Sequence, residues 1–167
     1  LVGSPVGTLT HLAAQWAKEG QKADIIENRV RDLASGGKIF FLVATLDFLV
    51  RGGRIGGASA LVGKALRIKP ILTLENGQVE PLCKERTMKK ALERLKTLVE
   101  KNHPQNGPGH LSIMHSEVPD QAKELAHYFH EKLSMPIPNI YDLPPAIVTH
   151  AGPGALAVGV FTTNTSN

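Results

Sequence analysis

The dipeptide Asn76-Gly77 stands between two apolar runs, Arg67–Leu74 and Gln78–Leu82. Asn-Gly readily takes the two positive φ angles of a two-residue hairpin, and between such runs it is the strongest short-range hairpin signal a sequence carries. The chain must therefore hold an antiparallel strand pair, which needs more strands or a helix to be stable. Pro70 cannot donate to a ladder, so it marks an edge or a bulge in the first run.

Helical and strand patterns alternate around this hairpin. Leu9, Leu12, Ala13, Trp16 and Ala17 share one face of a helix over about Thr8–Lys18, stopped by Gly20. Ala23, Ile26, Val30 and Leu33 repeat the pattern as far as Gly36-Gly37. Ile39–Val43 reads as a strand buried on both faces or nearly so. Thr45 caps a short helix through Val50, ended by Gly52-Gly53, and Ala58–Ala65 reads as a second short helix rich in small residues. Thr87 precedes an amphipathic helix carrying Ala91, Leu95 and Val99. His103–Gly109 is a loop, Leu111–Met114 a strand, and Pro119 opens a helix with Ala122, Leu125, Ala126, Phe129 and Leu133 on its core side. Ile137–Tyr141 is a strand, and Pro144-Pro145 breaks the chain. The apolar runs Ala146–Val148 and Leu156–Phe161 flank His150-Ala151-Gly152-Pro153-Gly154, and the polar tail from Thr162 is frayed. This predicts a single α/β (α+β) domain, a mixed, largely antiparallel sheet covered by helices. At 167 residues the chain is long enough to bury a real core.

Composition narrows the function classes. No apolar run approaches the ~20 residues of a membrane span, so stable membrane insertion is not expected. One cysteine, Cys83, excludes an internal disulfide framework and a multi-cysteine zinc site, and a cytoplasmic location is the default. The chain opens on Leu1 in mid-pattern, as a piece of a longer protein would. Its net charge of +4 is unevenly spread: residues 51–90 hold nine basic side chains against three acidic ones. Such a face attracts nucleic acid, acidic headgroups or an anionic protein. Aromatic residues make up only 5% and none interleave with these charges, which argues against a stacking surface for nucleic acid.

Few residues are arranged for chemistry. No Gly-x-Ser-x-Gly elbow, phosphate loop or dinucleotide spacing is present, and no catalytic residue is assigned. His127 and His130 lie three apart near the solvent side of their helix, no His-Glu-x-x-His or comparable signature is present, and neither metal nor cofactor is expected. Two features stand out. Arg51-Gly52-Gly53-Arg54 places two guanidiniums around a glycine pair, where they either present donor forks to an anion or are simply solvated beside a helix C-cap. His150 precedes a glycine–proline turn that either aims its imidazole at an anionic oxygen or ties it to a backbone carbonyl.

Five short pieces then occur in a specific order: Thr45-Leu46-Asp47-Phe48-Leu49, Gly52-Gly53-Arg54-Ile55, Ile68-Lys69-Pro70-Ile71-Leu72, Arg86-Thr87, and His150-x-Gly152-Pro153-Gly154. Together they resemble the C-terminal part of the DegV family of bacterial fatty-acid-binding proteins. The resemblance implies a two-domain parent whose N-terminal domain, with its Thr-Ser-Gln-Pro-Ser-like segment, lies outside this chain. It implies a long-chain fatty acid in an apolar tunnel of the present domain, its carboxylate held by the absent domain and by His150, Gly152 and Gly154. It further implies a carrier, not an enzyme, that presents the carboxylate to a fatty-acid kinase across a surface containing Arg54 and Arg86. Small residues in Ala58–Ala65 suggest part of the tunnel wall. The alternatives are the substrate-binding domain of a dihydroxyacetone-kinase-like enzyme and a basic-surface regulatory or nucleic-acid-binding module.

Overall fold

The computed structural model describes residues 1–63, 68–103 and 110–161. Its elements in order are α1 (Ser4–Lys18), α2 (Ala23–Gly36), β1 (Gly37–Leu42), α3 (Asp47–Arg51), a 3-10 helix (Gly56–Leu61), β2 (Lys69–Glu75), β3 (Gln78–Glu85), α4 (Met88–Asn102), β4 (His110–His115), α5 (Pro119–Leu133), β5 (Asn139–Asp142), α6 (Pro145–Ala151) and β6 (Leu156–Phe161). Six strands form one sheet in the order β3-β2-β1-β6-β4-β5. Every neighbouring pair is antiparallel except β4 and β5, which are parallel and joined through α5. The mixed, largely antiparallel sheet expected from the sequence is the observed one.

Local signals act where they were read. Asn76 and Gly77 both take positive φ, 50° and 79°, and join β2 to β3 directly. The Thr87 hydroxyl accepts a hydrogen bond from the Lys90 N–H at 3.2 Å and caps α4. Pro70 sits beside a bulge, where the β2–β3 register shifts between Ile71 and Leu72, and β2 is an interior strand.

Several readings differ from expectation: α1 already begins at Ser4, and β5 is Asn139–Asp142 instead of Ile137–Tyr141. Thr45 acts one place outside α3: its hydroxyl accepts from the Asp47 N–H and donates to the Asp47 carboxylate, while Leu46 holds the cap position. The proline pair begins an element instead of ending one, because a first-turn proline loses no helical hydrogen bond; Pro145 opens α6 and absorbs the run Ala146–Val148. The small-residue segment is a 3-10 helix that starts at Gly56, and the remainder of its expected span, residues 64 and 65, lies outside the described residues. Trp16, on the apolar face of the first helix, is half-buried, with the Arg29 guanidinium 5.3 Å from its ring centroid. The expected strand start at Arg67, most of the loop over His103–Gly109, and the tail from Thr162 also lie outside the described residues.

Strand alternation divides the core into two layers. One face of the sheet presents Phe40, Leu42, Ile71, Ile113 and Val158 to α4 and α5, which answer with Leu95, Val99, Leu125 and Phe129. The other presents Ile39, Val43, Leu72, Met114 and Ala157 to the layer of α3, α6 and the 3-10 helix. The α1–α2 pair packs beside that second layer through Leu9, Leu33 and Phe161. No helix among the described residues is long and apolar enough to cross a membrane.

Candidate functional site

The second face is not filled. A cavity of about 680 Å³ lies between the strands and the α3/α6 layer. Its floor is Ile39 and Phe41 of β1, Leu74 of β2, Val79 of β3, Met114 of β4 and Ala157 of β6. Leu49, Leu143, Ile147 and Ala151 close it from above, and Leu1, Val2 and Ala34 wall it beside α1 and α2. The space originates in β6. Leu156, Val158 and Val160 point at the filled layer, whereas Ala155, Ala157 and Gly159 alternate with them toward the cavity side. This small–large alternation was legible in the sequence and is the signal that would have located the cavity floor.

Two distant sequence motifs interlock at one end. A β-carbon built on Gly52 would collide with His150 Nδ1, and one on Gly152 would collide with the Phe48 ring. A β-carbon on Gly154 would come within 3.0 Å of Ala44. The segment from Ala44 through α3 to Gly52 and the end of α6 with its following turn therefore fit together through glycines that permit close approach. Gly152 also needs its positive φ of 76° to end α6. The His150 ring is thereby fixed with Nδ1 buried and without a hydrogen-bond partner among the described residues. A buried polar nitrogen left unpaired costs stability, and His115 Nδ1 shares that state; His150 enters the candidate site because its side chain also lines the cavity.

The expected site residues divide. Arg54 and His150 both line the cavity. Arg54 is exposed at its rim, with Nη1 3.5 Å from the Gly52 carbonyl oxygen. Gly152 and Gly154 do not line it, and their N–H groups donate to the Val148 and Ser116 carbonyls at 2.8 Å. Arg86 is exposed and stands apart from the cavity. Residues 58–63 do not line it either: Ala58 and Leu61 are buried in the adjoining core, and Gly56 alone among the described residues of the 3-10 helix reaches the cavity.

Arg54 is the sole charged side chain among the described lining residues; His150, Asn76 and Gln78 supply further donors, and no carboxylate is present. Such a lining suits a largely apolar ligand that carries an anionic or hydrogen-bond-accepting group. Among the described residues no group of three His, Cys, Asp or Glu side chains is placed to hold a metal.

A family model for uncharacterised proteins of the DegV family matches residues 1–163. The chain belongs to the DegV family. A DegV domain-containing protein of Streptomyces coelicolor is 37% identical over 165 residues, 96% of this chain and 57% of the relative. One from Clostridium acetobutylicum is 35% identical over 150 residues, 90% of this chain and 52% of the relative. This DegV chain thus spans a little over half the length of those curated relatives. Among solved structures, a fatty acid binding DegV family protein from Streptococcus agalactiae superimposes with a TM-score of 0.86 at 33% identity, over 96% of this chain and 56% of the other. A DegV family protein from Thermus thermophilus, described for its fatty acid binding, superimposes with a TM-score of 0.82 at 31% identity, over 95% of this chain and 57% of the other.

Proposed function

We propose that this chain is the acyl-chain-holding part of a fatty-acid carrier. The observation that carries the reading is the cavity: apolar across its floor and roof, free of carboxylates among its described lining, and furnished with Arg54 and His150. A volume of about 680 Å³ falls in the ~300–1,000 Å³ range of small-molecule sites. Burying an alkyl chain there gains ~0.8 kcal/mol per CH2, so a long-chain fatty acid has ample driving force. The fatty acid binding described for the Streptococcus agalactiae and Thermus thermophilus proteins supports the same reading.

In this proposal His150 donates a hydrogen bond to the ligand carboxylate. Gly152 and Gly154 serve it indirectly: by admitting Phe48 and Ala44 they hold the turn that aims the imidazole. A preceding domain of the parent protein supplies the remaining donors in this reading. The protein presents the carboxylate to a fatty-acid kinase, with exposed Arg54 and Arg86 on the docking side.

Native mass spectrometry of the full-length protein, followed by organic extraction, tests the carrier reading. The expected result is one fatty acid per protein. Repeated lipid-free preparations that also fail to take up added palmitate would overturn it.

A further inference from the structure

Both ends of the α6 segment meet on one dipeptide. The chain leaves β5 at Asp142, passes the end of β4 as α6 and its glycine–proline turn, and re-enters the sheet at Leu156 of β6. His115, the last residue of β4, stands opposite Asp142 on one side and Leu156 on the other. Its carbonyl oxygen accepts a hydrogen bond from the Leu143 N–H at 2.8 Å, just before α6. The Ser116 carbonyl accepts from the Gly154 N–H at 2.8 Å, just after the turn, and the Ser116 N–H donates to the Ala155 carbonyl at 2.9 Å. Residues 143–154, with His150 among them, are therefore a loop closed at both ends on His115 and Ser116. Both of these residues are buried. Glu117 follows them at a φ of 60°, which a residue with a side chain adopts where its surroundings hold it there.

The His115 ring adds a side-chain contact to this closure. Nε2 lies 3.7 Å from an Asp142 carboxylate oxygen, and Nδ1 is buried without a hydrogen-bond partner among the described residues. The carboxylate favours the tautomer that carries its proton on Nε2. The ring does not line the cavity, so it has no direct access to a ligand there. We propose that His115 is a positioning residue: paired with Asp142, it fixes the point where α6 leaves the sheet and thereby sets the aim of His150. This rests on the fatty-acid reading above, in which His150 meets the ligand carboxylate.

Palmitate and methyl palmitate, titrated into the full-length protein, give the test. His115→Leu approximates the size of the ring and removes its N–H. Palmitate affinity should fall about two- to fivefold, the scale of a partly exposed pair, while the methyl ester binds as before. Asp142→Ala, a change at an exposed side chain, should act in the same way. His115→Gln keeps an amide donor for Asp142 and should recover most of the loss. In a His150→Ala background neither His115→Leu nor Asp142→Ala should cost anything further, because the group they position is gone. Thermal melts establish folding, and Asp142→Ala alone carries the test if His115→Leu does not fold. Equal losses for acid and ester, losses undiminished in the His150→Ala background, or no loss in either folded variant overturns the positioning role and leaves the carrier standing. A wild type that takes up no palmitate overturns the carrier, and the positioning role with it.

Discussion

The two faces of the sheet are built from alternate residues of the same strands, yet one is solid and the other hollow. Toward α4 and α5 the central strands send Phe40, Leu42, Val158 and Val160, and the gap is closed by Leu95, Val99 and Phe129. Toward α3 and α6 they send Ile39, Ala155 and Ala157, and the opposing elements are short: α3 has five residues and α6 has seven. Long amphipathic helices fill a sheet face continuously, whereas short helices with glycine-rich ends touch it at points and leave space between. Both faces bury apolar side chains, but the second leaves a cavity beside them.

Truncation of the filled face gives the largest expected effect. Phe129 is fully buried there, and Phe129→Ala should cost about 3–5 kcal/mol in urea unfolding. Ile39 is equally hidden from solvent but already borders a void, so Ile39→Ala should sit near ~2 kcal/mol, the lower end of the range for such truncations. Equal losses at the two positions would remove the distinction between the faces.

His150→Ala sharpens the comparison from the hollow side. Losing one hydrogen bond to a charged group weakens binding by ~1.5–3 kcal/mol, about tenfold to a hundredfold. Fatty-acid titration of the full-length protein should show that drop with the melting temperature nearly unchanged, and methyl esters should discriminate little between the two proteins. Free-acid affinity equal in the folded variant and the wild type would reduce His150 to a turn residue.

The smallest effect on lipid affinity is expected at the arginines. Arg86 stands clear of the cavity, so Arg86→Ala should leave lipid affinity unchanged and weaken kinase-coupled acyl phosphorylation in a salt-dependent way. Arg54 lines the rim as well as facing solvent. Its Arg54→Ala variant should show the same kinase-coupling loss with at most a few-fold weaker lipid binding, in line with ~0.2–1 kcal/mol for an exposed ion pair. A loss of lipid affinity matching that of His150→Ala would place Arg54 inside the head site and off the docking surface.

Much of this protein is legible one element at a time. The Asn76-Gly77 turn, the Thr87 cap and the core stripes of α4 and α5 depend on φ angles, hydrogen bonds and side-chain spacing within a few residues, and the chain states those directly. The resemblance to the DegV family also rests on five pieces read in linear order. The prolines show where local reading stops. Pro144-Pro145 can end a chain segment or start a helix, and Pro70 can mark an edge or a bulge; the choice depends on which strand lies alongside. The site goes further beyond local information. Gly52 and His150 are nearly a hundred positions apart, and neither residue type alone says that one exists to make room for the other. The void exists because β6 inserts between β1 and β4, laying Ala155 and Ala157 beside Ile39, Phe41 and Met114. Side-chain size is written in the sequence, but whether small residues are covered or left facing empty space depends on strand order and on the length of the helices above them, and only the tertiary structure decides that.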